Sequence, residues 1–241
     1  MSSLSVAAAS FTPTDPKVAA TAADATADVA PASEAAEVAA SPDAINTAAA
    51  VNSDIEVVPM HQKWVMWFDN PRLAPEGSDW KDNLKECGDF ETVGDFWTIY
   101  NNLKPASKLP LNSNYHVFRE GVQPMWEDPA NKKGGKFVLT IPKKDSKSGR
   151  TDEWWLYTVL CVIGETIDLE GDQICGAVVS IRKTQDRIAL WMKSSDKMAC
   201  SAVGARWKKA LDMNKTILKY QLHDDAAASG SSFKNETKFE V

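Results

Sequence analysis

Between Gly121 and Lys136 the chain reads GVQPMWEDPANKKGGK, and this stretch constrains how everything around it can fold. Pro124 and Pro129 remove backbone donors, and Gly134 and Gly135 loosen the main chain. The stretch therefore predicts a loop, neither strand nor helix. Asn114–Glu120 before it and Lys136–Ile141 after it have strand composition. The loop carries Trp126 beside Glu127. An indole in such a loop lacks a full core around it and needs a groove or a ligand. A carboxylate beside it can accept two parallel N–H bonds from a planar donor. A flat cationic base held between indoles, with its N–H edge on a carboxylate, suits this pair. From the loop alone the plainer reading is favoured: Trp126 caps the core and Glu127 is solvated.

The segments on either side supply the rest of the pattern. Gln62–Phe68 (QKWVMWF) predicts a strand. A Pro-, Gly- and Asp-rich loop follows and carries a second loop tryptophan, Trp80. Phe90–Leu103 predicts a helix, since Thr92 and Asp95 have capping-box spacing and Val93, Phe96, Trp97, Tyr100 and Leu103 recur at helical intervals. Asp152–Ile167 (DEWWLYTVLCVIGETI) predicts a helix that is apolar almost all round. Such a helix is either deeply buried, here under a neighbouring helix, or it shows an apolar patch to a partner. Val93 and Trp97 could extend that patch.

Gly176–Arg182 and Arg187–Met192 predict two strands joined by a tight KTQD hairpin, which sets Arg182 and Arg187 opposite each other at its end. Two guanidiniums there can grip successive phosphates, although each alone is an ordinary surface arginine. Asp196–Leu211 predicts a third helix, capped by Asp196, with Trp207 toward the sheet. Thr216–His223 predicts a strand. The last stretch predicts a mobile loop and a final strand. Helices alternating with antiparallel pairs predict an α+β fold: one curved sheet with helices on one face, the other face left for a ligand.

Charge and composition narrow the class. Of 33 acidic and 27 basic residues, seven acids and one base lie in residues 1–54, so the remainder is balanced at 26 of each. A net charge of −6 argues against coating nucleic acid by charge alone. Residues 1–54 are Ala-rich and acidic, interrupted by Pro13, Pro16, Pro31 and Pro42, and predict a disordered tail. Residues 55–241 form the expected folded domain. Cys87, Cys161, Cys175 and Cys200 show no paired or metal-ligand spacing and read as free thiols of a reducing compartment, cytosolic or nuclear. No segment has the length and apolarity of a membrane span. His61, His116 and His223 have no metal spacing, and no nucleophile or phosphate-loop motif occurs, so neither catalysis nor a cofactor or metal is expected. Glu127 and Asp128 are adjacent on a loop and do not make a convincing pair for glycoside chemistry.

Several blocks in order carry a resemblance: HQKW..WF, SDWKDNL, DFETVGDFWTIYN, FREGVQPMWEDPANKKGGKF, WWLYTVLCVIGE, ICGAVVSIR and DRIALW. Together they resemble the messenger-RNA cap-binding translation initiation factor 4E family over about residues 59–241. The resemblance implies a cupped, mostly antiparallel sheet of about eight strands with three helices on its convex back, and a 7-methylguanosine cap on the concave side. It implies that Trp80 and Trp126 sandwich the base and that Glu127 accepts its N–H groups. Trp191 would touch the N7 methyl, and Arg182, Arg187 and Lys136 would hold the phosphates. Pro59, Val93, Trp97, Leu156, Tyr157, Leu160 and Ile163 match a site for a short amphipathic helix of a scaffold protein, or of a competing repressor. Tyr157 stands where the family commonly has Glu, and Phe137 where Trp is common. The implied function is cap recognition in translation initiation. The alternatives are a repressive homologue that does not recruit the scaffold, and a protein-interaction module that has lost cap binding.

Overall fold

The computed structural model describes residues 57–73, 77, 80–213, 215–229 and 235–241. The expected 1–54 tail lies outside them, as do residues 230–234 of the expected C-terminal loop. Eight described strands form one antiparallel sheet: β1 (Pro59–Asp69), β2 (Lys85–Thr92), β3 (Asn114–Arg119), β4 (Gly135–Pro142), β5 (Ile174–Ser180), β6 (Gln185–Met192), β7 (Lys219–Leu222) and β8 (Phe239–Glu240). Their spatial order is β2-β1-β3-β5-β6-β4-β7-β8. The sheet is curved. Three long helices, α1 (Val93–Tyr100), α4 (Arg150–Ile163) and α5 (Lys197–Ala210), pack on its convex face. Three short ones, α2 (Pro129–Lys132), α3 (Lys143–Lys147) and α6 (His223–Ser229), complete the set.

Strand side chains alternate between faces, so the register sorts every residue to one side. One row runs Met66–Val117–Ala177–Leu190–Phe137–Tyr220–Phe239 across seven neighbouring strands, and all seven are buried in the helix-side core. The next row, Trp67–His116–Val178–Ala189–Val138–Lys219, points the other way. On the helix side α5 lies very close to the sheet, because Gly204 has no side chain: a Cβ there would meet the Phe137 ring at 2.8 Å. Trp207 is fully buried between them, and its indole N–H donates to Thr158 Oγ1 at 3.0 Å, so burying the polar end leaves no unmade bond.

Four expectations need correction. Residues 85–92, in part assigned to a helix, form edge strand β2, and the helix begins only at Val93. Its polar, charge-rich composition hid it, yet charged side chains are what protects an edge strand. Thr92 is the cap: its Oγ1 accepts from the Asp95 N–H at 3.1 Å and donates to the Asp95 carboxylate at 2.7 Å. The 121–136 loop is not wholly irregular, because Asp128 and Pro129 start the one-turn helix α2. The fourth helix ends at Ile163, before Gly164, and the penultimate strand spans only Lys219–Leu222 because His223 opens α6.

Arg182 and Arg187 are not a directly opposed pair. Arg187 faces Ser180 on β5 and Thr140 on β4, and Arg182 lies beyond the end of β5.

Candidate functional site

The outward rows of the sheet floor a cleft of about 410 Å³ on the concave face. Its centre is apolar: Val178, Ala189 and Val138, one from each of three adjacent strands. Toward one end the row changes to Trp191 and Lys136, which are register partners. Toward the other end it changes to Asn114, Ser180 and Arg187, with Arg182 beside them. The 121–128 loop supplies a wall: Met125 is its buried anchor, Trp126 is half-buried and Glu127 exposed. Asp128 sets that wall, accepting from the Gln123 N–H at 2.9 Å and the Ala130 N–H at 2.8 Å. Both Asp128 oxygens thus bond to backbone N–H groups of its own loop. Trp80 opens a short 3-10 turn, Trp80–Asn83, and its side chain lies outside what the structure describes.

Polar contacts hold the arginine end in place. Arg182 Nη2 donates to Asn114 Oδ1 at 2.8 Å and Nη1 to the Ile181 carbonyl at 3.0 Å. Asn114 in turn donates to the buried Asp69 carboxylate at 2.9 Å, which lies 2.6 Å from His116 Nε2 on the cleft floor. Behind the hairpin sits Asp186, fully buried. Its carboxylate accepts from Lys143 Nζ (2.6 Å), Ser146 Oγ (2.5 Å), the Arg182 backbone N–H (3.1 Å) and Thr151 Oγ1 (3.2 Å). Burial pushes this carboxyl up, but Lys143, Ser146 and the Arg182 N–H outweigh it and the net shift is downward. One side chain thus ties the turn between both arginines to α3 and to the start of α4. Asp186 and His116 carry no sequence signal of these roles.

Lys136 is only 4% exposed, with Nζ 5.7 Å from the Trp191 ring centroid. Burial, and then the Arg187 guanidinium, lower its pKa to about 8. Burial also lowers the pKa of both arginines, which nonetheless stay charged. The cleft therefore offers an indole wall and an apolar floor at one end and fixed cations at the other. That suits a flat base bearing an anionic tail.

On the helix side Pro59, Val93, Trp97, Leu160 and Ile163 line a groove of about 320 Å³ between β1, α1 and α4. His61 Nδ1 lies 2.9 Å from Glu165 Oε2 among the lining residues. Two expected members stand apart. Leu156, one turn earlier on α4, lines a separate hollow with Tyr100, Leu103 and Trp155. Tyr157 is 45% exposed and lines neither.

Comparison with known proteins gives the same picture from another side. The family model described as eukaryotic initiation factor 4E matches residues 59–238. A soybean (Glycine max) protein named eukaryotic translation initiation factor 4E-1 is 41% identical over 179 residues, covering 74% of this chain and 73% of its own. A sea-hare (Aplysia californica) protein named eukaryotic translation initiation factor 4E is 41% identical over 180 residues, 73% of this chain and 82% of its own. Among solved structures, C. elegans eIF4E-3 in complex with the 4E-binding protein Mextli and a cap analogue superposes with a TM-score of 0.68 at 32% identity, covering 77% of this chain and 100% of that one. Ascaris suum eIF4E-3 with an m7G cap gives 0.68 at 31% identity, covering 77% and 98%.

Proposed function

The chain belongs to the eukaryotic initiation factor 4E family, and from that membership we propose that it binds the 7-methylguanosine cap of messenger RNA in the concave cleft. It also takes a short partner helix in the groove on the opposite face, and so couples capped messenger to a scaffold protein at the start of translation. Solved relatives hold a cap analogue and a 4E-binding protein. The observation that carries the reading is one cleft with Trp126 and Trp191 among its walls and floor and Arg182 and Arg187 at its far end.

Trp126 stacks the base, and the family resemblance assigns its other face to Trp80. Methylation makes that base cationic, which strengthens its attraction to indole faces. Glu127 accepts its N1 and N2 hydrogens, and Trp191 meets the N7 methyl. Arg182 and Arg187 hold the phosphates. Lys136 is buried beside Trp191 at the opposite end of the cleft and offers no forked grip, so it acts on the phosphates only as a more distant charge. Its lowered pKa means that a bound phosphate draws it toward its charged form. Pro59, Val93, Trp97, Leu160 and Ile163 take the partner's apolar anchors, with Leu156 and Tyr157 at the border. The deciding experiment is retention on immobilised 7-methyl-GTP, with and without a 4E-binding peptide. Retention together with peptide binding is expected. Retention without peptide binding supports a repressive homologue, and loss of retention removes the cap reading.

Asp186→Asn tests the arginine end. It weakens the tie between the hairpin and α3, so 7-methyl-GTP should lose about three- to tenfold in affinity, the worth of roughly one ordinary hydrogen bond. The 7-methylguanosine nucleoside should change less than twofold. Equal losses for both ligands would show that Asp186 supports the whole fold and not the phosphate grip. The pH dependence has a definite sign. The folded carboxyl titrates below its ordinary value, so its stabilisation is full above roughly pH 4 and is lost as pH falls further.

A further inference from the structure

We propose that His223 is a positioning residue that fixes the Trp191 indole and thereby sets the preference for a methylated over an unmethylated guanine. The inference rests on the cap-binding reading and extends it to a residue outside the cleft lining. The His223 ring stacks on Trp191 with centroids 4.1 Å apart and planes 35° from parallel. Phe118 closes on the same indole edge-on, 5.4 Å away at 76°. Trp191 is 6% exposed, so these neighbours decide how much of its ring the cleft can use.

His223 itself is 1% exposed. Neither ring nitrogen makes a well-formed hydrogen bond, and the Gly135 backbone exerts only a weak upward pull on its pKa. A histidine held this way contributes chiefly as a flat ring. Burial, and then Lys136, drive its pKa down to about 3, so it stays neutral at physiological pH. Neutrality matters because a positively charged imidazolium against the indole would compete for its electron density and repel a cationic base. The stack keeps Trp191 both fixed in plane and electron-rich. A ligand lacking the methyl group, and hence its charge, gains little from either property.

The test is titration of the full-length protein with 7-methyl-GTP and with GTP, for the parent, His223→Ala and His223→Phe. An aromatic pair is worth about three- to tenfold in an equilibrium constant. His223→Ala is expected to lower 7-methyl-GTP affinity by that factor while GTP stays within twofold, so the methyl preference shrinks equally. His223→Phe restores a neutral ring and should return the preference to the parent value, with thermal melting showing both variants folded. Equal losses for the two nucleotides, or a His223→Phe protein as unselective as His223→Ala, would overturn the role of His223 while leaving the cap reading intact. A parent protein that fails to separate the two nucleotides overturns the cap reading and this inference together.

Discussion

Trp126→Ala is expected to lower affinity for 7-methyl-GTP by about 5- to 150-fold, because a base–aromatic stack is worth roughly 1–3 kcal/mol. The wall is well suited to such a test. Met125 is its buried anchor, and Asp128 fixes the turn through backbone N–H groups, so losing the Trp126 side chain leaves the loop's own supports in place. Melting temperature should therefore move little while retention on cap resin is lost. Trp126→Phe keeps a smaller π-face and should lose less. The same substitutions at Trp80 should match them if the two indoles enclose one base. A Trp126→Ala protein that binds the nucleotide as tightly as its parent would remove this wall from the site.

Trp97→Ala is the second large effect, and it is expected on the opposite face. Trp97 is half-buried, packed edge-on against Phe96 and Tyr100, and lines the groove between β1, α1 and α4. Large aromatic anchors dominate interfaces of this kind and cost about 2 kcal/mol or more on truncation, at least a thirtyfold loss. A 4E-binding peptide should lose that much, and Leu160→Ala should lose a comparable share. Cap affinity should stay within a few-fold, since the sheet separates the two sites. A parallel collapse of cap binding would mean that Trp97 holds up the fold. Tyr157→Glu should tighten a peptide carrying a basic residue at that position by less than about 1 kcal/mol, and less at high salt.

What the sequence revealed depended on whether a residue acts through its own chemistry or through its neighbours. Trp126, Glu127, Arg182 and Arg187 stood out by residue type, but the loop alone favoured a capping Trp126 and a solvated Glu127, and their proposed roles came from the family resemblance. Trp207 and the Asp196 cap were readable because helical period and capping chemistry are local. Strand β2 was missed because Lys85, Glu86, Asp89 and Glu91 carry no β signature; its existence depends on pairing with β1. Asp186 looked like a turn residue, and only the packing of α3 and α4 behind it turns it into an anchor. Leu156 fell on the right helix but lines a different hollow, because it lies one turn, about 6 Å, before Leu160 along the helix axis. His223 was assigned to a strand end, and its stack on Trp191 joins β6 to the start of α6.

The strand order has a consequence for how quickly the binding site can come into being. β3 lies beside β5 and β4 beside β6, so each of these pairings must bridge an intervening element of the chain before it gains any contact. Closing such loops costs entropy in advance, and chains built on distant pairings fold more slowly than helical bundles of the same size. The cleft floor draws on β3, β4, β5 and β6 together, so no early fragment of the sheet contains it. During refolding from denaturant, helical signal should return first and ligand-quenched tryptophan fluorescence last. Nucleotide capture then serves as a clock for the final closure of the sheet.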